Sequence, residues 1–209
     1  MNIAIIGVGN VGKALSQASV HARHAVTLSS NKPEDAQRVA RETGAHAARS
    51  NGEAVNGAEV VILAVPYAAT AGIVKELGAK LKGKTVIDVS NRMDPHDPGK
   101  VVDGTSNAEA IQALIPEATV VKAFNTVFAS HQANPVVNGI QLDGFVAGAD
   151  GPAKSKVLDL VRSLGFRPIN AGPLSMARAL EAMGWLNISL NMRDNGSWQD
   201  GWKLVGPAA

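Results

Sequence analysis

Met1-Asn2-Ile3-Ala4-Ile5-Ile6-Gly7-Val8-Gly9-Asn10-Val11-Gly12 opens the chain, and its reading decides the architecture of the whole molecule. The apolar run 3–6 is rich in β-branched residues and too short for a helix, so it reads as a buried strand. Gly7, Gly9 and Gly12 then stand in the spacing G-x-G-x-x-G, and an apolar-periodic segment continues through Leu15 and Ala18. Between a strand and a helix each glycine has its own task. Gly7 permits the tight turn, Gly9 lets a pyrophosphate approach the backbone where a Cβ would collide, and Gly12 lets the helix pack close to the sheet. The helix N-terminus turns its free N–H groups toward the phosphates. The bland alternative is a glycine-rich turn without a ligand. The strand before, the helix after and a second strand over 25–28 favour a dinucleotide, held by residues 7–12: Gly7, Val8, Gly9, Asn10, Val11 and Gly12.

Outward from this loop the chain alternates. A helix over 10–23 leads to the strand at 25–28. Pro33 opens the next helix, where its missing N–H is not needed, and Gly44 closes it. A weak strand over 45–48 and a short helix near 52–55 precede a continuous apolar strand over 58–65, which Pro66 ends. A helix over 68–81, a strand over 85–89 and a long loop over 90–105 come after it. Next come a helix over 106–115, stopped by Pro116, and a strand over 119–124. Apolar strands alternating with helices give an α/β class, a Rossmann-type doubly wound, mostly parallel sheet. A strand over 144–148, a helix over 153–164 and a strand over 167–169 extend it. A last helix is expected from a Ser175 cap to about 192, with Ala179, Met183, Leu186 and Leu190 on one apolar face. Residues 1–150 thus read as a nucleotide-binding domain and 151–209 as a small C-terminal lobe that completes the acceptor site.

Composition removes several function classes. Of 209 residues 45% are hydrophobic and 18% charged, and a net charge of +2 without basic clusters is too little for nucleic acid. The absence of cysteine excludes disulfides and thiolate chemistry. The first strand begins within two residues and no apolar run is long enough to span a bilayer, so a cytoplasmic location without membrane contact is expected. Five scattered histidines show no metal-ligand spacing, and no metal is expected. His21 and His24, at the end of the first helix, read as imidazolium partners of its dipole, and His131 as a surface residue.

The end of the second strand bears on which dinucleotide. An NAD-preferring domain places a carboxylate there to accept from the ribose 2′-hydroxyl. Here Ser29, Ser30, Asn31 and Lys32 offer donors instead, which suit a 2′-phosphate and favour NADP(H). An ordinary polar turn would still tolerate it. Ligands of open parallel sheets lie beyond the strands' carboxyl ends, so Ala64, Val65 and Pro66 read as an apolar wall, with Asn91 after the fifth strand. Ala123, Phe124, Asn125 and Thr126 end the sixth strand. Asn125 and Thr126 are the candidate catalytic pair, able to bond a carboxamide or a substrate carbonyl, unless Phe124 is core and the polar pair merely caps the loop.

The glycine loop, Ala64-Val65-Pro66, Ser106-Asn107-Ala108-Glu109, Val121-Lys122-Ala123-Phe124-Asn125-Thr126 and Ala171-Gly172-Pro173-Leu174-Ser175 with Arg178 together resemble the coenzyme F420-dependent NADP oxidoreductases. The fold unit is also similar to the cytoplasmic domain of the six-transmembrane metalloreductases. The resemblance implies hydride transfer between nicotinamide and a small-molecule redox acceptor, with coenzyme F420 or FMN/FAD as co-substrate. The chain departs from that pattern after the second strand, where it lacks the family's arginine, and in the loop from Ser90 to Pro95. No acid–base constellation is visible, which fits transfer between two planar cofactors. The alternatives are a reductase of a small imine or carbonyl, for which no helical lysine is placed, and a non-catalytic NADP-binding module. Trp185, Trp198 and Trp202 fall close together in the sequence, as ring-stacking residues, core, or the interface of an expected homodimer.

Overall fold

A computed structural model describes residues 1–93 and 104–206. The elements are β1 (Asn2–Ile6), α1 (Asn10–His21), β2 (Ala25–Ser29), α2 (Pro33–Thr43), β3 (His46–Ala47), α3 (Asn51–Ala54), β4 (Val60–Leu63), α4 (Tyr67–Leu77) and β5 (Thr85–Asp88). Then come α5 (Asn107–Leu114), β6 (Thr119–Ala123), α6 (Ala129–Gln132), β7 (Val136–Val137), β8 (Ile140–Gln141), β9 (Asp143–Gly148), α7 (Pro152–Ser163), β10 (Arg167–Gly172) and α8 (Ala177–Arg193). Most of the expected long loop over 90–105 lies outside the described residues.

Side chains alternate across β1, and the alternation builds two cores. Ile3 and Ile5 join Leu15 of α1, Val39 of α2 and Val157 of α7 on one face. Ala4 and Ile6 join Val74 of α4 and Ile111 of α5 on the other. The strands are buried on both faces because helices cover both. The strand order is β10-β9-β6-β5-β4-β1-β2-β3, so the topology reverses at β1, between β4 and β2. That reversal opens the crevice in which open α/β sheets bind dinucleotides. All pairs from β3 to β6 are parallel. β9 runs antiparallel to β6, with Val121 opposite Gly148, and β10 is parallel to β9. Residues 167–172 of the C-terminal segment therefore form the edge strand of the same sheet.

Several expectations change. β4 is shorter than the apolar run 58–65, since Ala64 already belongs to the turn against the glycine loop. Ser175 caps nothing: residues 174–176 form a 3-10 turn and α8 begins at Ala177 without a side-chain cap. The buried face of α8 is also not the leucine face. Leu180, Gly184, Asn187 and Asn191 turn inward, because the strand ends beneath need small and polar partners, whereas Leu186 and Leu190 are exposed. His24 lies beyond the end of α1, and burial with the nearby amino terminus lowers its pKa, which weakens it as a charged partner of the helix. His131 is buried, its Nε2 paired with Gln199 O at 2.7 Å.

α8 is tied to α5 at one end by Arg178, whose Nε and Nη2 donate to the two Glu109 oxygens at 2.9 and 2.8 Å. Glu109 also completes the Ser106 capping box of α5. The Arg178 guanidinium, aided by the Ser106 donors and opposed by partial burial, holds the Glu109 carboxyl down from 4.5 to about 2. A carboxyl lowered on folding contributes stability that is complete above its unfolded pKa and is lost as pH falls through its folded one. Arg178→Met is expected to lower the thermal midpoint at neutral pH, with the gap to wild type closing as pH falls from 4.5 to about 2. A gap independent of pH would rule out the coupling.

Candidate functional site

Gly7 has φ +100°, a conformation that side chains rarely adopt, and its N–H donates to Ser29 O at 2.9 Å. A Cβ on Gly12 would strike the Gly7 carbonyl, so α1 approaches the turn only because no side chain stands there. Gly9 is different. It is exposed, and a Cβ built on it meets nothing within 4 Å. The fold leaves this backbone bare without needing it bare, as expected of a cradle for a ligand such as pyrophosphate. Gly9→Val is therefore expected to fold with an unchanged thermal midpoint yet lose dinucleotide binding, measured by NADPH fluorescence titration. Wild-type affinity in the folded variant would remove the glycine loop from the site.

The cleft beyond the loop has a volume of about 550 Å³ and is lined by Gly9, Asn10, Val11, Ala64, Val65, Pro66, Val89, Asn91 and their neighbours. The structure thus brings the glycine loop, the apolar wall after β4 and Asn91 to one place. At the end of β2, Ser30, Asn31 and Lys32 are at the surface at the start of α2, with the Ser30 hydroxyl accepting from Lys32 N at 3.2 Å. Ser29 is not with them. It is buried, and its hydroxyl donates to Asn51 Oδ1 at 2.8 Å, which leaves no donor for a phosphate.

After β6 the chain turns sharply. Phe124 has φ +66°, a strained conformation for a bulky residue, which its own packing enforces. Its ring is core, edge-on to Phe166 with centroids 6.1 Å apart, and its carbonyl accepts from Gln132 Nε2 at 2.8 Å. The turn carries Asn125 and Thr126 over the strand ends. Asn125 Nδ2 donates to Asn91 Oδ1 at 2.7 Å and to Leu180 O at 2.8 Å, while Asn91 Nδ2 donates to Asn125 O at 3.1 Å. This reciprocal pair fixes both amides. Gly184 of α8 lies against it, since a Cβ there would meet Asn91 and the Asn125 carbonyl.

Sequence reasoning passed over Lys122. Its Nζ is fully buried, 2.8 Å from Asp88 Oδ2 and 2.9 Å from Glu181 Oε1, and bonded to Ser90 O. Asp88 Oδ1 accepts from Ser90 N, Ser90 Oγ and Asn107 Nδ2. Glu181 Oε1 also accepts from Asn107 N at the start of α5. The signal was available, because a lysine in a strand with both faces covered demands a buried anion. Lys122→Met leaves two carboxylates unpaired and is expected to destabilise the fold by about 3–5 kcal/mol in urea unfolding. A negligible change would show that the cluster is not ionised as drawn. The tryptophans do not converge: Trp185 lines a cavity of about 40 Å³ beside Arg92 and Arg178, whereas Trp198 packs edge-on to Phe128, 5.2 Å between centroids.

A doubly wound sheet with a bare glycine cradle at its switch point defines a Rossmann-type dinucleotide-binding protein. The chain belongs to the F420-dependent NADP oxidoreductase family. The family described as NADP oxidoreductase coenzyme F420-dependent matches residues 2–92. The F420-dependent NADP reductase of Methanocaldococcus jannaschii is 32% identical over 212 residues, covering 92% of this chain and 93% of that one. A solved structure from Arthrobacter sp. FB24, bearing the name of an F420-dependent NADP-reductase, superposes with a TM-score of 0.86 at 29% identity, over 98% of this chain and 99% of that one. Metalloreductase STEAP3 of Rattus norvegicus is 31% identical over 186 residues, 87% of this chain. The chain spans only 36% of that metalloreductase's length, and no helix among the described residues is long and apolar enough to cross a membrane. Membership places the chain among the NADP-dependent oxidoreductases.

Proposed function

We propose that this chain transfers hydride between NADP(H) and a planar ring acceptor, coenzyme F420 in first place and FMN or FAD in second. One observation carries the reading. Among the described residues, Tyr67 is the sole titratable side chain lining the cleft and the two cavities that share residues with it. A dehydrogenase of a hydroxy acid needs a positioned base for the hydroxyl proton. Transfer between two rings needs alignment and dry walls. Apolar residues supply such walls, Val11, Val65, Pro66 and Met93 on one side and Phe128, Ile188, Met192 and Trp198 on the other.

NADPH, when bound, supplies a hydride from its nicotinamide ring. The chain's own part is to hold and orient. Gly9 leaves room for the pyrophosphate, Ser30, Asn31 and Lys32 donate to the 2′-phosphate, and the rigid Asn125 stands at the strand end facing the rings. The Methanocaldococcus relative, matched along nearly its whole length, is named for F420, which puts that acceptor ahead of the flavins.

Stopped-flow oxidation of NADPH and NADH by F420, FMN and FAD tests the proposal. NADPH with F420 should react fastest, with a primary isotope effect for deuterium on one face of the nicotinamide when the hydride step limits turnover. Ser30→Ala with Lys32→Ala should weaken NADPH by about 10- to 100-fold, the value of one or two hydrogen bonds to a charged group, and NADH hardly at all. If no ring acceptor is reduced, the hydride-transfer reading falls. If both dinucleotides weaken equally, these residues do not hold the phosphate.

A further inference from the structure

Residues 194–206, after α8, form no helix or strand, yet they are fastened along their length. Gly196 N donates to Asn191 O at 2.8 Å, and a Cβ on Gly196 would strike the Asn191 side chain. Asn191 Oδ1 accepts from Trp198 N at 2.9 Å, and its Nδ2 donates to Asp200 Oδ2 at 2.7 Å. From α6, Ser130 Oγ donates to Trp198 O at 2.7 Å, and His131 holds the Gln199 carbonyl. Farther on, the Asp143 carboxylate at the start of β9 accepts from Lys203 Nζ at 3.1 Å and from Leu204 N at 2.6 Å. The segment is a fixed strap.

Trp198 stands in the middle of it. Its φ is +57°, a conformation that a bulky residue rarely adopts, and the bonds to its N–H and its carbonyl hold it there. Such strain persists where the surroundings over-determine the aim of a side chain. The indole is not aimed at a core. It is 43% exposed, stands edge-on to Phe128, and lines a cavity of about 560 Å³ that shares Asn10, Val11 and Met93 with the cleft. Among the described residues no titratable side chain lines that cavity.

Resting on the ring-acceptor reading above, we infer that Trp198 is the specificity-determining residue for the acceptor, and that the strap selects a flat conjugated ring by presenting an aromatic wall at a fixed place. A conjugated ring gains from contact with an indole whatever its substituents, whereas a small imine or ketone has no face to match. Because the wall is already held, a ligand bears little of the cost of ordering it.

Titration of the full chain, saturated with NADP+, with oxidised coenzyme F420 isolates binding, since two oxidised partners do not react. Trp198→Leu, which keeps apolar bulk and removes the ring, should weaken F420 by about 10-fold, and Trp198→Phe by only about 2-fold. Both should keep wild-type affinity for NADP+, which also reports that they are folded. Wild-type F420 affinity in Trp198→Leu, or an equal loss for NADP+, overturns the role of Trp198 while the ring-acceptor reading stands. Should Trp198→Leu fail to fold, tryptophan emission decides. It should fall when F420 binds wild type, and the fall should shrink in Trp198→Phe; equal quenching in the two overturns the assignment. Wild type that binds NADP+ but neither F420 nor FMN sinks the ring-acceptor reading, and the role of Trp198 with it.

Discussion

The buried lysine at position 122 is the constraint on which the geometry of the strand ends depends. Lys122, Asp88 and Glu181 come from β6, β5 and α8, and Asn107 brings in the start of α5. A buried ion cluster of this kind adds little stability over an apolar core of the same shape, because desolvating the charges offsets most of their attraction. We take its contribution to be specificity of arrangement. A charged ammonium in a dry interior tolerates few alternatives to the position where three acceptors surround it. Glu181 must reach it, so α8 lies across the strand ends. Asp88 must reach it, so the chain after β5 turns through Ser90 and delivers Asn91 beside Asn125.

Such a cluster and a ligand cleft are complementary uses of the same end of the sheet. The parallel strands present their carboxyl ends to a common crevice, and whatever stands there is either satisfied internally or left for a ligand. Asp88, Ser90, Lys122 and Asn107 satisfy one another. One turn of chain further from the strands, Asn125 is engaged on its amide nitrogen and bare on its oxygen. A paired nitrogen and an unpaired oxygen thus meet in that one side chain. The strained turn at Phe124, φ +66°, is what sets Asn125 over the strand ends, anchored by its ring in the core and by Gln132 on its carbonyl.

The fold was legible in the sequence because its signals are local. The glycine spacing, the apolar strands and the capping residues Pro33, Gly44 and Ser106 all act within a few positions. The antiparallel direction of β9 was not legible, since Gly144 to Gly148 read the same either way and direction depends on a neighbour far along the chain. The β7–β8 hairpin was legible and was missed. Asn138-Gly139, with φ +50° and +78°, is the turn dipeptide for a two-residue hairpin loop. In the site, residues beside the glycine loop were placed together as expected, whereas Ser29 was lost to Asn51 and Phe124 to the core. The inward face of α8 was not legible either, because an asparagine such as Asn187 inside a helix ordinarily faces water and here is buried.

The way α8 is fastened has a consequence for how such a protein diversifies. Arg178, Leu180, Glu181 and Gly184 attach the helix to the sheet within its first half. Ile188 and Met192, further along, line the outer cavity together with Trp198. The two halves of one helix are thus under different physical constraints. The first half is held by charge and close contact, whereas Ile188 and Met192 in the second half face the cavity and can change in size at less cost to the fold. A single helix thus carries both the anchor of the strand ends and two side chains of the outer cavity wall.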